Sequence, residues 1–461
     1  MPNDAFITPE IKKRIAAIPG LHLVDDPQKL EDCGKDGTPN LFHRPELVVE
    51  ATETAPIQAL LRLANACRFP VTPRGLGTGL AGGAVPVQGG VVLSLARMNR
   101  IITIERSNMI ALCEPGVLNL DLKNAAREQG LFYPPDPASF DTCSLGGNAA
   151  TNAGGPACVK YGTTRDYILG LEAVLPSGEL VTTGVRTRKG VVGYDLTRLL
   201  VGSEGTLGII TKLILRLIPH PAAVTTLVAL FDGLGPAMEA IQTILMSGHT
   251  PSALEFLDER CLALIGDLLP FPEVKGAGAM LLIETDGAPD RIQQEIEAIG
   301  QLCLAGGATE VLMAPDAARR NRLWEIRKAV SLRIEEHYPL DVHEDIVVPL
   351  GRIAEFVACL PAYDAEFGMK IYAFGHAGDG NIHLSVTAES SAATERVEAG
   401  IRKILERVVE TGGTMSGEHG VGIAKQRFLS LELSPENIRL QRAIKHLFDP
   451  NLILNPGKVF T

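Results

Sequence analysis

No C-x-x-C pair occurs anywhere in the chain, although it has eight cysteines, at 33, 67, 113, 143, 158, 261, 303 and 359. That scatter argues against a zinc ribbon and against a built-in iron–sulfur cluster of the usual spacing, and it suits free thiols in a reducing compartment. No run approaches the roughly 18 uninterrupted apolar residues of a membrane span. The first fourteen residues, with Asp4, Glu10, Lys12, Lys13 and Arg14, hold no apolar stretch of the signal-peptide kind, so a cytoplasmic protein is expected. Basic charge is short as well. Lys and Arg number 43 against 54 Asp and Glu, a formal net charge of −11, which argues against a nucleic-acid partner.

Glycine, by contrast, is plentiful: 47 of 461 residues, where roughly 7% is usual. The run Cys143-Ser144-Leu145-Gly146-Gly147-Asn148-Ala149-Ala150-Thr151-Asn152-Ala153-Gly154-Gly155, closed by Tyr161-Gly162, organises the chain. Such small residues bury little apolar area and lose much entropy on ordering, so a large bound ligand is expected to supply the missing contacts. A second block spans Pro73 to Gly83 and satisfies G-x-G-x-x-G at 77–82. That fingerprint binds dinucleotides only when it opens a helix. Here Ala84 to Gly90 lead into a strand, Val91 to Leu95, which argues against a nicotinamide cofactor. A Gly-rich loop between strands still offers N–H groups to phosphate, with Arg74 as charge partner, although a purely structural turn would have the same composition.

A chain of this length exceeds one hydrophobic core, and two or three domains are expected. Residues 8–44 read as an amphipathic helix and a turn-rich entry. Leu47 to Val49 read as a strand, followed by a helix capped by Thr54 with Pro56 in its first turn. Strands at 71–72 and 91–95, a helix over 119–129 stopped by Gly130, and a hairpin of 170–175 with 180–183 follow. Gly202 to Ile210 turn into a β-rich segment ending near Pro219-His220-Pro221, a plausible boundary. Beyond it, strands at 224–231 and 280–285 alternate with helices at 236–246 and 293–305, an antiparallel sheet covered by helices. Helices at 399–411 and 438–448 close the chain. No internal repeat is visible.

A second chemical centre lies in Phe374 to Leu384, where Gly, Asp and Asn predict a hairpin turn bringing His376 near His383. Glu418, in Ser416-Gly417-Glu418-His419-Gly420, would complete a His₂–carboxylate set for a divalent metal, and His419 is a candidate base. The plain alternative is that each histidine satisfies a local hydrogen bond. Arg327 and Ser331 stand four apart on a predicted helix, where Arg327 either grips a carboxylate or faces solvent.

Together Pro73-Arg74-Gly75-x-Gly77-Thr78, the Leu145 to Gly155 run, Tyr161-Gly162-x-x-x-Asp166 and Gly202-Ser203-Glu204-Gly205-Thr206-Leu207-Gly208 resemble the FAD-linked oxidases of the vanillyl-alcohol oxidase, or p-cresol methylhydroxylase (PCMH), type. The branch is that of D-lactate dehydrogenases, D-2-hydroxyglutarate dehydrogenases and the flavin subunit of glycolate oxidase, over about Pro45 to Val459. The resemblance implies an α+β fold. A PCMH-type FAD-binding domain of two subdomains (1–219) would precede a substrate or cap domain with an antiparallel sheet (220–408). A helical C-terminal segment (409–461) would return to the active site. It also implies FAD contacts from Pro73, Arg74, Gly75, Gly77, Thr78, Gly79, Asp136, Ser139, Gly146, Gly147, Thr151, Gly154 and Gly155, and from Glu204, Gly205, Ile209 and Asn455. A divalent metal, zinc or manganese, would be held by His376, His383 and Glu418, with His419 as base and Arg327, Ser331 and His343 as substrate contacts.

The implied activity is an FAD-dependent, metal-assisted dehydrogenase of a small (R)-2-hydroxy acid. His343 stands where D-2-hydroxyglutarate enzymes carry lysine, and Ser385 where they tend to have asparagine, so D-lactate or glycolate is favoured. The competing readings are a flavin-dependent transferase of the alkylglycerone-phosphate synthase kind and an electron-transfer flavin subunit of a larger glycolate oxidase complex. Electrons would leave to a quinone, an electron-transferring flavoprotein or an iron–sulfur subunit. A homodimer and a peripheral position at the inner face of the membrane stay open. Some relatives tether FAD to a histidine, and none occurs here between His43 and His220, so the flavin is expected to be non-covalent, with Cys143 or Cys158 the lesser alternatives. Acid precipitation should therefore leave the flavin absorbance in the supernatant; yellow pellets would reveal a covalent bond.

Overall fold

Strands and helices fall into two units that divide at His220 and Pro221 in the computed structural model, which describes residues 5–269, 274 and 276–460. The first unit holds the residues up to Ala153, Thr163–His220 and the chain from Glu418 onward; the second holds Gly154–Gly162 and Pro221–Gly417.

The first unit begins with α1 (Pro9–Ala16), β1 (Leu21–Val24), α2 (Pro27–Asp32), β2 (Leu47–Ala51), α3 (Thr54–Cys67), β3 (Val71–Arg74) and β4 (Val91–Ser94). The strands form a sheet of order β1-β2-β4-β3, with β1 antiparallel to β2 and the other neighbours parallel. Helical spacing on α3 puts Ile57, Leu60, Leu61 and Ala64 against Leu47, Val49, Val71 and Leu93. The single helix and turn-rich entry expected over 8–44 thus give way to α1, β1 and α2. β1 is only four residues long with just its ends, Leu21 and Val24, buried, too little for an alternating signal. Nor is Thr54 the helix cap. Glu53 holds that position, and the Thr54 hydroxyl donates to Glu172 Oε1 at 3.1 Å.

Then come β5 (Ile101–Glu105), β6 (Ile110–Cys113), α4 (Asn119–Glu128), β7 (Leu131–Phe132), α5 (Leu145–Thr151), α6 (Cys158–Tyr161), β8 (Ile168–Val174), β9 (Leu180–Gly184), α7 (Leu196–Leu200), β10 (Ile209–Arg216) and β11 (Ile218–Pro219). An antiparallel sheet runs β5-β6-β10-β8-β9, and β11 pairs with β7. The β8–β9 hairpin turns at Gly178, whose φ of +81° favours glycine.

The second unit comprises, after α6, β12 (Ala223–Phe231), α8 (Leu234–Met246), β13 (Ala253–Asp258), α9 (Glu259–Ile265), β14 (Ala279–Gly287), α10 (Pro289–Ala305), β15 (Ala308–Met313), α11 (Ala317–His337), β16 (Leu340–Val347), α12 (Ile353–Phe367), β17 (Lys370–His376), β18 (Asn381–Ala388) and α13 (Thr394–Glu410). All seven strands join one antiparallel sheet of order β15-β12-β14-β13-β17-β18-β16. Helices α8, α10, α12 and α13 pack in one layer and α9 with α11 in another. Most of β12 to β14 is accordingly buried throughout rather than alternately. From β12 to β15 the chain follows the βαββαβ order of ferredoxin-like units with one addition, α9, inserted between β13 and β14. From β16 to α13 the chain repeats βαββα, and the two halves meet edge to edge through their second strands, β13 and β17. Repetition that is invisible in the residues is plain in the topology, because layer packing constrains burial pattern and loop length, not residue identity.

Back in the first unit, α14 (Leu429–Glu432) and α15 (Pro435–Phe448) precede a tail laid beside β3. The Val71 amide donates to Ile453 O and the Asn455 amide to Val71 O, both at 2.8 Å. Buried Lys445 fastens this return, donating to Asp449 at 2.5 Å and to Thr206 O and Leu454 O at 2.8 Å. No helix among the described residues is long and apolar enough to cross a membrane. Lys445→Met would leave the buried Asp449 carboxylate with the Ile453 and Leu454 amides but no cation, and is expected to cost about 3–5 kcal/mol. Urea unfolding followed by flavin release would read this as an early transition.

Candidate flavin cradle and candidate metal centre

In the first unit, the loop leaving β3 runs to β4 without any helix, so the G-x-G-x-x-G at 77–82 lacks the helix start a dinucleotide site requires. The loop is half-buried, yet the amides of Leu76, Gly77, Thr78 and Gly79 reach no acceptor among the described residues. Buried or half-buried N–H groups need partners, and an oxygen-rich anion would supply them. A Cβ on Gly79 would meet open space, whereas at Gly77, with φ +73°, it would strike the Arg74 guanidinium folded over the loop. Arg74 Nη1 also donates to Lys35 O at 2.6 Å.

Close approach explains other glycines here. A Cβ on Gly75 would collide with Ser144 Oγ and approach Gly147, so the loop at Gly75 lies directly against the start of α5, where Gly146 and Gly147 sit. Thr151 ends α5 with its hydroxyl on Gly147 O at 3.2 Å. Gly205 packs its α-carbon side on Pro73 and towards Asn455. Asn455 Nδ2 in turn donates to Glu204 O at 2.8 Å and Gly83 O at 3.0 Å. The Glu204 carboxylate points to the amides of Val421 and Gly422, at 2.9 and 2.8 Å; burial raises its pKa, against the pull of those amides. Ile209 opens β10, buried. Asp136 and Ser139 lie in the turn before α5, where Ser139 O accepts from Thr142 and Cys143. Gly154 and Gly155 belong to the second unit instead. Pro73, Gly75, Gly147, Gly205 and Asn455 are thus drawn into one neighbourhood. Asn148 Nδ2, on the same helix and 4% exposed, has no partner among the described residues. Glycine-lined walls, unspent amides and a spare buried donor fit a long ligand rich in acceptors, as FAD is.

In the second unit, β17 and β18 are joined by the short turn Ala377–Gly380. Phe374 pairs with His383 and Tyr372 with Ser385; Asp345 of β16 pairs with His383, His343 with Ser385, and Glu255 of β13 with His376. Because side chains alternate along a strand, all of these share one face. His376 Nε2 stands 3.3 Å from His383 Nε2, with the rings nearly perpendicular at 88°. His376 Nδ1 is 2.5 Å from Glu255 Oε1. His383 Nδ1 is 3.8 Å from Asp345 Oδ1, and Asp345 also accepts from Asn381 Nδ2 at 2.6 Å and the Gly417 amide at 2.9 Å. Two nitrogens bound about 2.0–2.1 Å from a tetrahedral ion stand about 3.3 Å apart. The donor pair therefore fits a divalent ion, and a carboxylate behind one imidazole is the usual outer support of such a ligand. Glu418 and His419 follow Gly417 directly in the chain but group with the first unit.

Arg327 is buried on α11, not solvated, with Nη2 at 2.8 Å from Glu255 Oε2 and the guanidinium 4.9 Å from the Phe374 ring centre. Ser331 lies one helical turn further. Burial alone would raise the Glu255 pKa, but His376 and then Arg327 hold it below the usual value. His343 is engaged by Asp341 at 2.9 Å and Glu335 at 3.6 Å.

Two family models match the chain: FAD binding domain over residues 45–184, and FAD linked oxidases, C-terminal domain, over 220–459. The chain is 39% identical to the glycolate oxidase subunit GlcD of Bacillus subtilis over 99% of its own length and 97% of the relative's. It belongs to the FAD-linked oxidases. A D-lactate dehydrogenase of Anaerostipes hadrus is 40% identical over 90% of both chains. Among solved structures, p-cresol methylhydroxylase with substrate bound superposes with a TM-score of 0.80 at 18% identity, covering 97% of this chain and 96% of that one. This FAD-linked oxidoreductase therefore has the PCMH-type fold.

Glu255 and Asp345 were missed as site residues in the sequence. Glu255 lies 121 positions from His376, and the one signal for it was a lone carboxylate inside an apolar strand. His343 offers a pH test. Burial works against its charged form, but Asp341 with Glu335 and Glu344 outweighs it and raises the pKa above 6.5. The stabilisation this provides is complete below the unfolded value and is lost as pH rises through the folded one. Thermal melts should show His343→Gln to be more destabilising near about pH 5.5 than near about pH 8.5.

Proposed function

We propose that this oxidoreductase converts a small (R)-2-hydroxy acid, D-lactate or glycolate, into the 2-oxo acid with FAD and a divalent ion. The observation carrying this reading is the 3.3 Å separation of two imidazole Nε2 atoms, backed by a buried carboxylate. The names of the relatives, a glycolate oxidase subunit and a D-lactate dehydrogenase, point the same way.

FAD, when bound, supplies the acceptor for the hydride leaving Cα. A zinc or manganese ion held by His376, His383 and Glu418 would supply Lewis-acid polarisation of the substrate oxygens. The glycines and amides around Pro73 to Gly79 and Gly146 to Gly155, with Glu204, Gly205 and Asn455, hold the cofactor non-covalently. Arg327 grips the substrate carboxylate, with Ser331 beside it, and orients Cα. His419 accepts the hydroxyl proton as the hydride departs, so that proton and electron pair are both accounted for. His343 is already matched by Asp341 and Glu335, which leaves a second, distal carboxylate poorly served and favours monocarboxylic acids. Electrons then pass to an external partner, a quinone, an electron-transferring flavoprotein or an iron–sulfur subunit, since the chain has no cluster motif of its own.

Anaerobic mixing with D-lactate or glycolate should bleach the flavin, and D-2-hydroxyglutarate should be about ten- to a hundredfold poorer in kcat/KM. A flavin that stays oxidised with every hydroxy acid would favour the transferase reading. His376→Ala and Glu418→Ala should each remove bound metal and turnover while FAD stays stoichiometric. Full turnover in either variant would eliminate the metal role.

A further inference from the structure

β13 reads Ala253-Leu254-Glu255-Phe256-Leu257-Asp258, and Glu255 is the one ionisable residue among its first five. Its side chain is wholly buried. Strand formation does not call for a carboxylate there, and burying one is unfavourable unless its charge is matched. The strand lies at the seam between the two halves of the sheet, and Glu255 faces His376 across it. Its two oxygens serve different partners: Oε1 is 2.5 Å from His376 Nδ1, and Oε2 is 2.8 Å from Arg327 Nη2. Neither contact competes with the other. Each partner also keeps a group for another task. His376 has Nε2, turned to His383, and Arg327 has a buried Nε for which no described residue provides an acceptor.

We propose that Glu255 is a positioning residue that locks the metal-binding imidazole of His376 and the carboxylate-binding guanidinium of Arg327 into one geometry. The proposal rests on the metal-assisted reading above. A carboxylate at Nδ1 keeps the proton on that nitrogen and leaves the Nε2 lone pair for the ion. The second oxygen holds the guanidinium by charge at 2.8 Å, and Phe374 supports that group from its face at 4.9 Å. One rigid carboxylate plane thus sets both the metal and the substrate end of the site, and a change at Glu255 is felt at both. A change at Arg327 is felt only at the substrate end.

The test uses the flavin-loaded full chain as wild type, Glu255→Gln and Arg327→Lys, with Zn²⁺ or Mn²⁺ titration and D-lactate kinetics. Glu255→Gln should weaken metal binding about 10–100-fold and raise KM, with FAD content unchanged. Arg327→Lys should raise KM and leave metal affinity as it was. Wild-type metal affinity and KM in Glu255→Gln would overturn the proposal while leaving the metal-assisted reading intact; a wild type that binds no metal overturns both. Should Glu255→Gln not accumulate as folded protein, ¹⁵N-imidazole NMR of the metal-free wild type decides, with His376 assigned through His376→Asn. A proton on Nδ1 supports the proposal, and a proton on Nε2 overturns it.

Discussion

A carboxylate buried in a β-strand keeps its charge only where cations or donors meet it, and Glu255 is met on both oxygens. This constraint reaches well beyond one side chain. β13 and β17 share only three paired positions, Glu255 with His376, Phe256 with Gly375 and Leu257 with Phe374. A slip of one residue would turn His376 to the other face and leave the carboxylate opposite a glycine or an alanine, at a cost of several kcal/mol. The pairing therefore specifies register at the joint between two similar halves. Through the tight turn after His376 it also specifies where β18 delivers His383, and through β16 where Asp345 stands.

The first unit solves a different problem. Its glycine-rich loops contribute almost no apolar area, so they are held from behind. Pro73 and Ser144 fill the space that a side chain on Gly205 or Gly75 would need. Glu204 and Asn455 sit in the left-handed region, at φ +52° and +45°, where side chains with a Cβ rarely settle. They hold one another there, through Asn455 Nδ2 and Glu204 O, and Lys445 pins the tail that carries Asn455. The strain is tolerated because buried hydrogen bonds over-determine it. Backbone groups thereby remain available to a ligand.

Much of the fold was legible because the long elements carry strong periodic signals. α3, α8, α10 and α13 fell where apolar spacing put them, as did β12, β14 and the hairpin at Gly178. Short elements did not. β1 pairs with β2 across an edge and presents too few residues to show a period, and the boundary at Thr54 was decided by a hydrogen bond to Glu172 far along the chain. The duplicated topology of the second unit was also hidden, since its halves repeat an order of layers and no residue pattern. At the site, the histidine pair was legible from a turn composition that confines its geometry. Glu255, Asp345 and the burial of Arg327 were not, because each depends on a partner more than thirty residues away.

By itself the sequence determined local matters: glycine clusters that free backbone amides, a hairpin turn that draws His376 towards His383, motifs that mark an FAD-linked oxidase, and cysteines too scattered for a C-x-x-C pair. These follow from short-range sterics and spacing, which residues carry with them wherever they fold. Only the tertiary structure decided which charges neutralise one another. Arg327 is claimed by Glu255 and His343 by Asp341, since electrostatic partnership depends on distance and burial, and strands far apart in the chain acquire those only when a sheet assembles them.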